Sequence, residues 1–466
     1  MSESFDLIVI GAGTAGMPAA MAAATRGLKV GLIEKSGRLG GTLHYSSGQM
    51  SGAGTRLQAE RGIVDSPDLH FEDVMRISRG TANRGLVRRA VDIAPRTIDW
   101  LMENDFAMHP ACPAILHLHE AYKIARSYWG VDGGRSILAA ITPPFERARE
   151  RHGIDIRFGT TVTELLPGEG VRVRKPDGSV ATCRARATIL ATGGYGASPP
   201  MFARLHGGAP LFTTASPTSD GSGFTMAEAR GARIRNANYW KPAMAGIEDP
   251  PGSGRVVWDD VPSLTPQVRA PWEIYVDSAG RRFVAEDHDS VDVREAALAR
   301  LPGLSFWVVF DQAILDAAPP LLPRYDRARL EAAVRAHPDF RRADTLAQLA
   351  AAAGIDPTGL AATIDAYNRA ASGGGDALGR KHMPRPIVGP GFYAIRCRGM
   401  VLRSFAGLVI DDDLRVLGRD GAPLRGLYAA GEIVGGGTMS GDGYVGGMSV
   451  TPALGFGRWL GETVLG

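Results

Sequence analysis

The chain has 466 residues, 52 of them basic and 49 acidic, which leaves a formal net charge of +3 at pH 7. A near balance of this kind, without a basic run, argues against a nucleic acid or an anionic membrane as partner. The length suffices for a large core and two structural domains, and no apolar stretch reaches the roughly 20 residues of a membrane-spanning helix.

Cysteine use and the amino terminus bear on the cellular compartment. Cys112, Cys183 and Cys397 lie far apart and match no haem, iron–sulfur or metal-binding spacing. Such sparse use of cysteine is typical of a reducing compartment. The first predicted strand begins within about five residues of Met1, which leaves no room for a signal peptide. We therefore expect a cytoplasmic protein without a metal site.

The amino-terminal segment joins an apolar run to a glycine-rich turn. Residues 7–10 predict a buried parallel strand, and Gly11, Gly13 and Gly16 follow it at G-x-G-x-x-G spacing. Glycines let backbone N–H groups approach a pyrophosphate, and the start of the next helix adds the positive end of its dipole. The pattern predicts a phosphate-binding turn.

The next elements complete a βαβ unit. Small residues over 15–24 predict a helix packed closely on a sheet, and the apolar run 30–33 predicts a second strand that ends at Glu34. A carboxylate at this place can accept hydrogen bonds from a ribose 2′-OH. Together these elements predict a dinucleotide site, with an ordinary βα turn as the alternative.

The rest of the first 237 residues has an α/β pattern, after which the composition changes. Up to residue 237 we predict helices around 71–102 and at 136–152 and 224–231, and strands at 154–158, 162–166, 171–174, 180–185 and 187–190. Proline-interrupted loops then precede a predicted strand pair at 273–276 and 282–285 and helices at 328–337, 345–353 and 359–371. The sequence thus predicts a first domain at 1–237 and 405–466, and an inserted cap at 238–404.

Two later glycine-rich segments bear on which dinucleotide is bound. Residues 191–195 follow a predicted strand, and an apolar run beginning at Gly426 leads into Gly431 and Glu432. With the amino-terminal motif, in this order, they resemble the two-dinucleotide-binding flavoproteins. The resemblance implies FAD and an α/β fold, with a Rossmann-like FAD-binding domain and an inserted α+β substrate cap domain. The residues that we expect to contact FAD are Gly11, Gly13, Ala15, Gly16, Glu34, Lys35, Gly41, Thr42, Ser47, Gly48, Ala191, Thr192, Gly193, Asp220, Gly431, Glu432, Ser449 and Val450.

Three further segments narrow the resemblance. Residues 280–286, 405–411 and 446–458 resemble the fumarate reductase/succinate dehydrogenase flavoprotein superfamily, which also contains the 3-ketosteroid dehydrogenases and tricarballylate dehydrogenase. This resemblance covers essentially the full length and implies a substrate clamped between the FAD domain and the cap. The chemistry it implies is hydride transfer between flavin N5 and a carbon next to an activating group, while a proton moves at the neighbouring carbon.

Several positions depart from the dicarboxylate enzymes of that superfamily. Fumarate reductases carry a proton-delivering arginine, two histidines and a C-terminal arginine where this chain has Ser290, Ala243, Arg403 and Tyr444. His44 is offset by two from the histidine that tethers FAD in succinate dehydrogenases, so we expect non-covalent FAD. These differences make fumarate or succinate a poor substrate prediction.

Tyr444 and Gly447 point towards ketones. If one residue is deleted between them, they match the tyrosine hydroxyl and glycine N–H that bind the substrate's ketone oxygen in ketosteroid dehydrogenases. Desaturation of a ketone passes through an enolate-like state, which donors aimed at the oxygen stabilise by about 3 kcal/mol each. Those enzymes carry their proton-abstracting tyrosine at the position of Ser290, so the base must come from elsewhere.

Candidates for the base lie in the loop that contains Asp287, His288 and Asp289, in a cluster that begins at His119, and at Tyr239 and Trp240. His288, in an acidic stretch, is a candidate because histidine is a common general base, although a solvated loop residue is the plainer interpretation. Tyr122 and Tyr128 lie in a cluster that begins at His119. Tyr122 and Arg126 stand at i, i+4 and would share a helix face, which is also ordinary surface pairing.

Other side chains are candidates for binding the substrate. Arg403 occupies a position that lies beside the substrate in the resembling enzymes, so we predict a pair with a substrate carboxylate; a structural ion pair is the alternative. The remaining predicted substrate contacts are Ser290, Trp129, Tyr239 and Trp240. For Trp129 and its neighbour Tyr128, core packing is the alternative.

These observations predict a non-covalent FAD dehydrogenase that desaturates a ketone between its α and β carbons. The substrate would be a cyclic ketone, a keto acid such as an oxocyclohexanecarboxylate, or a 3-oxosteroid, with an external electron acceptor. A reductase of an enone or a fumarate-like acid is the first alternative. A flavin-binding protein without turnover is the second, which a substrate clamp argues against. The sequence predicts no particular oligomeric state.

Overall fold

The computed structural model describes residues 3–466, with the side chains of all but residues 3, 245 and 259. It divides into two compact units: unit 1 contains the chain up to residue 207 with 215–240 and 403–466, and unit 2 contains 208–214 and 241–402. The segment 208–214, which the sequence assigns to the first domain, belongs to unit 2 because Thr213 bridges to Arg255 and Val401.

The strands range from two to eleven residues. In chain order they are β1 (Glu3–Ile10), β2 (Val30–Ile33), β3 (Met50–Ser51), β4 (Ser127–Tyr128), β5 (Asp155–Arg157), β6 (Thr161–Leu166), β7 (Gly170–Arg174), β8 (Val180–Leu190), β9 (Ile234–Arg235), β10 (Ala243–Gly246), β11 (Ile274–Val276), β12 (Ser305–Asp311), β13 (Phe340–Ala343), β14 (Phe392–Met400), β15 (Gly407–Leu408), β16 (Arg415–Leu417) and β17 (Pro423–Ala429).

The helices lie in both units. In chain order they are α1 (Gly16–Thr25), α2 (Arg56–Glu60), α3 (Pro67–Ile77), α4 (Arg84–Glu103), α5 (Gly134–His152), α6 (Pro199–Leu205), α7 (Ser222–Glu228), α8 (Val291–Leu298), α9 (Gln312–Ala317), α10 (Arg327–Ala336), α11 (Leu346–Ala353), α12 (Pro357–Arg369), α13 (Gly436–Ser440) and α14 (Val450–Thr463). Within residues 3–466 no helix combines the length and the apolar character that a membrane crossing requires.

Unit 1 is built on an eight-stranded sheet whose central strands are parallel. The order is β16-β17-β8-β1-β2-β5, and the hairpin β6–β7 joins β8. Ile10 lies opposite both Ile33 and Leu190, and Leu190 lies opposite Ala429. The carboxyl ends of β1, β2, β8 and β17 therefore share one edge, where open α/β sheets bind their ligands.

The predicted α/β class is confirmed, with differences in individual elements. The runs 180–185 and 187–190 form the single strand β8, because the pairing with β1 is continuous from residue 183 to residue 190. The predicted helical region 71–102 consists of α3 and α4, and Asn83 caps the second through a 3.1 Å bond from the Leu86 N–H.

Glycines allow α14 to pack directly on α1. A Cβ atom at Gly457 would lie 2.2 Å from the Ala15 carbonyl oxygen, and one at Gly461 would lie 2.3 Å from that of Ala19. Neither position leaves room for a side chain. The carboxyl-terminal segment is thereby fixed against the helix that follows the glycine-rich turn.

Unit 2 has a five-stranded antiparallel sheet in the order β10-β14-β12-β11, and β13 also pairs with β14. Helices cover it around a core that includes Phe306, Phe310, Leu349 and Leu360. The predicted strand at 282–285 is wrong: only Arg282 bridges to β11, at Val276. The partner of β11 is instead β12, a long strand that the sequence analysis did not predict.

Candidate active site

The turn after β1 admits only glycine at two positions. Gly11 has φ +101°, and a Cβ atom there would lie 2.4 Å from the Ala191 carbonyl oxygen. A Cβ atom at Gly16 would lie 1.8 Å from the Gly11 carbonyl oxygen. Ala15 is the N-cap residue of α1, so the N-terminus of this ten-residue helix opens on the turn. The positive end of the helix dipole suits a pyrophosphate here.

Glu34, directly after β2, is buried and held by backbone groups. Its Oε2 accepts a hydrogen bond from the Ala12 N–H at 2.8 Å, and its Oε1 accepts one from the Ser36 N–H at 2.7 Å. A carboxylate oxygen has two acceptor positions, so each oxygen retains one. The arrangement suits a ribose hydroxyl as donor.

Lys35 and Asp220, both predicted FAD contacts, pair with each other. The Lys35 Nζ lies 2.9 Å from Asp220 Oδ2, and the Ser222 N–H donates to Oδ1 at 3.0 Å. Burial of Asp220 favours its neutral form, but the hydrogen bonds from Lys35 and Ser222 outweigh that effect and keep its pKa below the usual value. The pair joins the segment after β2 to the start of α7.

The loop after residue 39 approaches the glycine-rich turn. The Gly40 N–H donates to the Ala12 carbonyl at 2.8 Å, and a Cβ atom at Gly41 would lie 3.3 Å from the Gly13 Cα. Thr42 is half-buried in the following 3₁₀ turn. The loop therefore forms a second wall beside the turn.

The same loop bears on how FAD is held. The His44 Nε2 lies 2.8 Å from the Leu39 carbonyl oxygen, so this nitrogen carries the proton and donates. Farther along, Ser47 is exposed, and Gly48 has φ +64° with no space for a Cβ, which would lie 2.6 Å from the Gly134 nitrogen. The His44 ring is thus engaged with the backbone, which suits non-covalent FAD.

The segment after β8 offers an unpaired polar atom. The Thr192 Oγ1 is buried and has no hydrogen-bond partner among residues 3–466, and Gly193 follows it with φ +75°. After β17, Gly431 has φ +85° and approaches Ala15, whose Cβ would be 3.2 Å from a Cβ at residue 431. These features fit a bound polar group at the shared edge of the sheet.

The last predicted FAD contacts lie beside a second helix N-terminus. The Glu432 Oε1 accepts a hydrogen bond from the Ser404 N–H at 2.8 Å, and burial raises the pKa of Glu432. Ser449 is exposed and precedes α14, which begins at Val450. All the residues predicted to contact FAD lie in unit 1.

A second cluster in unit 1 surrounds Tyr444. The His119 ring stacks on the Tyr444 ring with centroids 3.6 Å apart and planes inclined by 21°. The Arg403 guanidinium carbon lies 3.9 Å from the same centroid. Because two groups at these distances cannot share one face, His119 and Arg403 hold Tyr444 between them. The bridge between Glu120 and Val445 brings the two segments together.

The Arg403 guanidinium donates hydrogen bonds to two serine side chains. Its Nη1 donates to Ser449 Oγ at 2.6 Å and its Nη2 donates to Ser440 Oγ at 2.8 Å. The side chain also lies over the Phe405 ring, at 4.8 Å. Arg403 is therefore fixed by two hydroxyl groups and two aromatic faces.

His119 is neutral at physiological pH. Burial, with the Arg403 charge as a second cause, lowers the pKa of His119 to about 3. Its Nδ1 has no hydrogen-bond partner in the described part of the chain. From the sequence, His119 only begins a cluster that is a candidate source of the base, and the tertiary structure stacks it on Tyr444.

Tyr122 reaches the loop that contains Gly447. Its hydroxyl donates to the Gly446 carbonyl at 2.5 Å and lies 3.2 Å from Ser51 Oγ, and burial raises its pKa. The expected helix face shared with Arg126 is wrong, because no helix covers residues 111–126. Arg126 nevertheless lies 5.2 Å from the Tyr122 ring centroid and is fully buried in an ion pair with Asp65.

Tyr128 and Trp129 have structural surroundings. Tyr128 is fully buried, its hydroxyl lies 2.7 Å from Thr55 Oγ1, and burial raises its pKa. Trp129 stacks on His109, with ring centroids 5.2 Å apart. Neither environment distinguishes these residues from ordinary core packing.

Tyr239 and Trp240 lie at another place in unit 1. Trp240 packs edge-on against Phe202 at 5.0 Å and lines an open cavity of about 560 Å³ together with His206 and Arg235. Tyr239 is half-buried in the 3₁₀ turn before it.

His288 and Ser290 belong to unit 2. His288 is exposed, and its Nδ1 accepts a hydrogen bond from the Ser290 N–H at 3.0 Å. The Ser290 Oγ caps α8 by accepting from the Val293 N–H at 3.3 Å. Asp287 is engaged with the backbone, where its Oδ2 accepts from the Lys381 and His382 N–H groups, both at 2.8 Å.

Comparison with known proteins gives a family match and a set of relatives. A family model described as an FAD binding domain matches residues 6–449. A probable fumarate reductase, Ifc3, of Shewanella frigidimarina is 27% identical over 99% of this chain and 75% of its own length. The 4-oxocyclohexanecarboxylate 2-dehydrogenase of Sinomonas cyclohexanicum is 26% identical over 100% of this chain and 93% of its own length.

Among solved structures, the 3-ketosteroid Δ1-dehydrogenase of Sterolibacterium denitrificans shares the fold. That structure, a complex with 1,4-androstadiene-3,17-dione, superimposes with a TM-score of 0.78. The alignment covers 99% of both chains at 19% sequence identity. At this identity the likeness extends to the fold alone.

Proposed function

Because the chain belongs to the FAD-binding-domain family of flavoprotein oxidoreductases, we propose that it is a dehydrogenase that desaturates a ketone between its α and β carbons. The match over residues 6–449 confirms the predicted FAD cofactor, and with the named relatives it confirms the oxidoreductase class. The choice of a ketone rests on the loop that contains Tyr444 and Gly447.

The observation that carries the proposal is the backbone of this loop. No described residue accepts a hydrogen bond from the Gly447 N–H, and φ is +76° at a position where a Cβ atom would lie 2.3 Å from the Ser51 nitrogen. In our proposal the ketone oxygen accepts from this N–H and from the Tyr444 hydroxyl. Donors held in place before the reaction stabilise the negative charge that develops on the oxygen.

The proposed reaction removes a proton from the α carbon and a hydride from the β carbon of the ketone. When bound, FAD supplies the acceptor for the hydride, and an external acceptor takes the electron pair afterwards. Glu34, Thr192 and the turn at Gly11 are the groups that we assign to holding the cofactor, without a covalent bond. The carbon–carbon double bond forms as the two hydrogens are lost.

We assign the proton to His288. The hydroxyls of Tyr122 and Tyr128 are engaged in buried hydrogen bonds, and burial disfavours their ionised forms. His288 is exposed, and accepting a proton at Nδ1 replaces only its bond from the Ser290 N–H, at a cost of about 1 kcal/mol.

The substrate class that we favour is a cyclic ketone or keto acid. A relative named 4-oxocyclohexanecarboxylate 2-dehydrogenase, matched over nearly its whole length, supports a keto acid. We assign Arg403 to positioning the Tyr444 ring and not to a substrate carboxylate, because two serine hydroxyls and two rings already surround its guanidinium.

The test is an anaerobic titration of the FAD-loaded enzyme with cyclic ketones, keto acids and dicarboxylates. We expect ketones to bleach the oxidised flavin band near 450 nm, a general property of the cofactor. Tyr444→Phe should lower kcat by about 10²-fold or more through loss of a donor, whereas Tyr428→Phe, a matched change away from the loop, should not. Unimpaired turnover by Tyr444→Phe would remove the proposed oxygen anchor.

The reverse reaction is the second candidate. The relative named as a probable fumarate reductase supports it, and donors to an enolate-like oxygen serve either direction equally. Reoxidation of the reduced enzyme by an enone, without bleaching of the oxidised enzyme by the saturated ketone, would assign the protein as a reductase.

A further inference from the structure

The peptide unit between Gly446 and Gly447 is held by a hydrogen bond to its carbonyl group. Its carbonyl oxygen accepts the 2.5 Å hydrogen bond from the Tyr122 hydroxyl. Its N–H is the group that the proposed function assigns to the ketone oxygen. In a trans peptide the C=O and N–H bonds are coplanar and point in opposite directions. A bond that fixes the carbonyl therefore also aims the N–H.

Tyr122 is itself held firmly. The residue is 5% exposed, and its hydroxyl lies 3.2 Å from Ser51 Oγ and 3.4 Å from His70 Nε2. The His70 ring meets the Tyr122 ring edge-on at 5.3 Å. On its other side, the Arg126 guanidinium lies over the ring. These contacts restrict the direction in which the hydroxyl donates.

The rest of the loop supports the same orientation. The Gly447 carbonyl accepts from the Thr451 N–H at 3.3 Å, and Thr451 Oγ1 accepts from the Ser51 N–H at 3.0 Å. The positive φ of Gly447 and the lack of space for a Cβ exclude a residue other than glycine at this position. Tyr122 supplies the hydrogen bond to the carbonyl oxygen of the Gly446–Gly447 peptide unit.

We propose that Tyr122 is a positioning residue that orients and polarises the Gly446–Gly447 peptide, so that the Gly447 N–H is a strong donor to an enolate-like oxygen. This inference rests on the proposed function. A donor bond to the carbonyl oxygen draws electron density from the amide nitrogen, which strengthens the N–H as a donor in turn. Tyr122 thus acts through the peptide and does not touch the substrate.

The first experiment measures anion binding without turnover. In the FAD-loaded enzyme, 4-cyanophenol serves as a mimic of the enolate, and its ionisation on binding is followed by ultraviolet difference spectroscopy. We expect Tyr122→Phe to weaken binding of the phenolate form by roughly tenfold, less than the 10²–10³-fold rate loss typical when a donor is removed outright. The matched control, Tyr128→Phe, removes another buried hydroxyl and should bind as the wild type.

The outcomes separate this inference from the proposed function. If Tyr444→Phe weakens phenolate binding and Tyr122→Phe does not, the positioning role is overturned and the oxygen anchor stands. If neither change weakens binding, both proposals fail.

An isosteric change keeps the test decisive if Tyr122→Phe does not fold. Incorporation of 3-fluorotyrosine at position 122 makes the hydroxyl more acidic and a stronger donor, so phenolate binding should tighten. The pH profile of kcat should keep its wild-type limbs. A limb that moves to lower pH with fluorination would make Tyr122 the base and overturn the positioning role.

Discussion

At the scale of single residues, the protein keeps the His119 imidazole neutral. Burial and Arg403 lower its pKa to about 3, against 6.5 in a free side chain. Between these values the unfolded chain binds a proton that the folded chain does not, so His119 makes stability fall as the pH falls. His119→Phe, which retains a stacking ring, should therefore lose less unfolding free energy than the wild type between pH 6.5 and pH 4. Denaturant unfolding at both values checks this, with exposed His117→Phe as the matched control. A wild-type pH dependence in His119→Phe would contradict it.

At the scale of elements, the glycines in the turn between β1 and α1 serve two different purposes. One is required for folding and another for binding the cofactor. A Cβ atom at Gly13 would meet no protein atom closer than 3.9 Å, whereas one at Gly16 cannot be accommodated. Gly13→Ala should therefore change the unfolding free energy of the FAD-free protein by no more than about 1 kcal/mol relative to the wild type. The same change should weaken FAD binding at least about tenfold, because the methyl group blocks the close approach of a phosphate. Flavin fluorescence titration measures the affinity. Gly37→Ala, with nothing within 4 Å, is the control, and equal affinities would count against the phosphate turn.

At the scale of the whole molecule, the folded state of unit 2 depends in part on a network of buried charged side chains. Glu286 is fully buried and pairs with Arg282 and with Arg380, the latter at 3.2 Å. Removing one charge leaves the others uncompensated, so Glu286→Gln should cost about 3–5 kcal/mol of unfolding free energy. Circular dichroism in denaturant measures the loss. The exposed pair of Glu331 and Arg335 provides the control, because Glu331→Gln should change stability by less than about 1 kcal/mol. Equal effects of the two changes would contradict the network.

Local sequence patterns were sufficient to predict the βαβ unit with its dinucleotide site, but they did not predict the sheet of unit 2. The glycine spacing after β1 and the carboxylate after β2 are short-range signals, so the motif could be located from neighbouring residues. Strands β12 and β14 were not predicted, because buried strands read as apolar runs that resemble helix segments. The run 282–285 has the composition of a strand, yet Arg282 is drawn into ion pairs with Glu286 and Asp376.

The amino-acid sequence alone was enough to assign the α/β class, the FAD cofactor and the oxidoreductase family, because these depend on motifs whose residues are close in the chain. Tertiary structure decided what those residues contact. In the folded protein the His119 ring stacks on the Tyr444 ring, and the Arg403 guanidinium lies over the same ring. The Tyr122 hydroxyl, a candidate base from the sequence, donates a hydrogen bond to the Gly446 carbonyl. The contacts of His119 and Tyr122 join positions more than 300 residues apart in the chain. They follow from packing and burial, which no local spacing encodes.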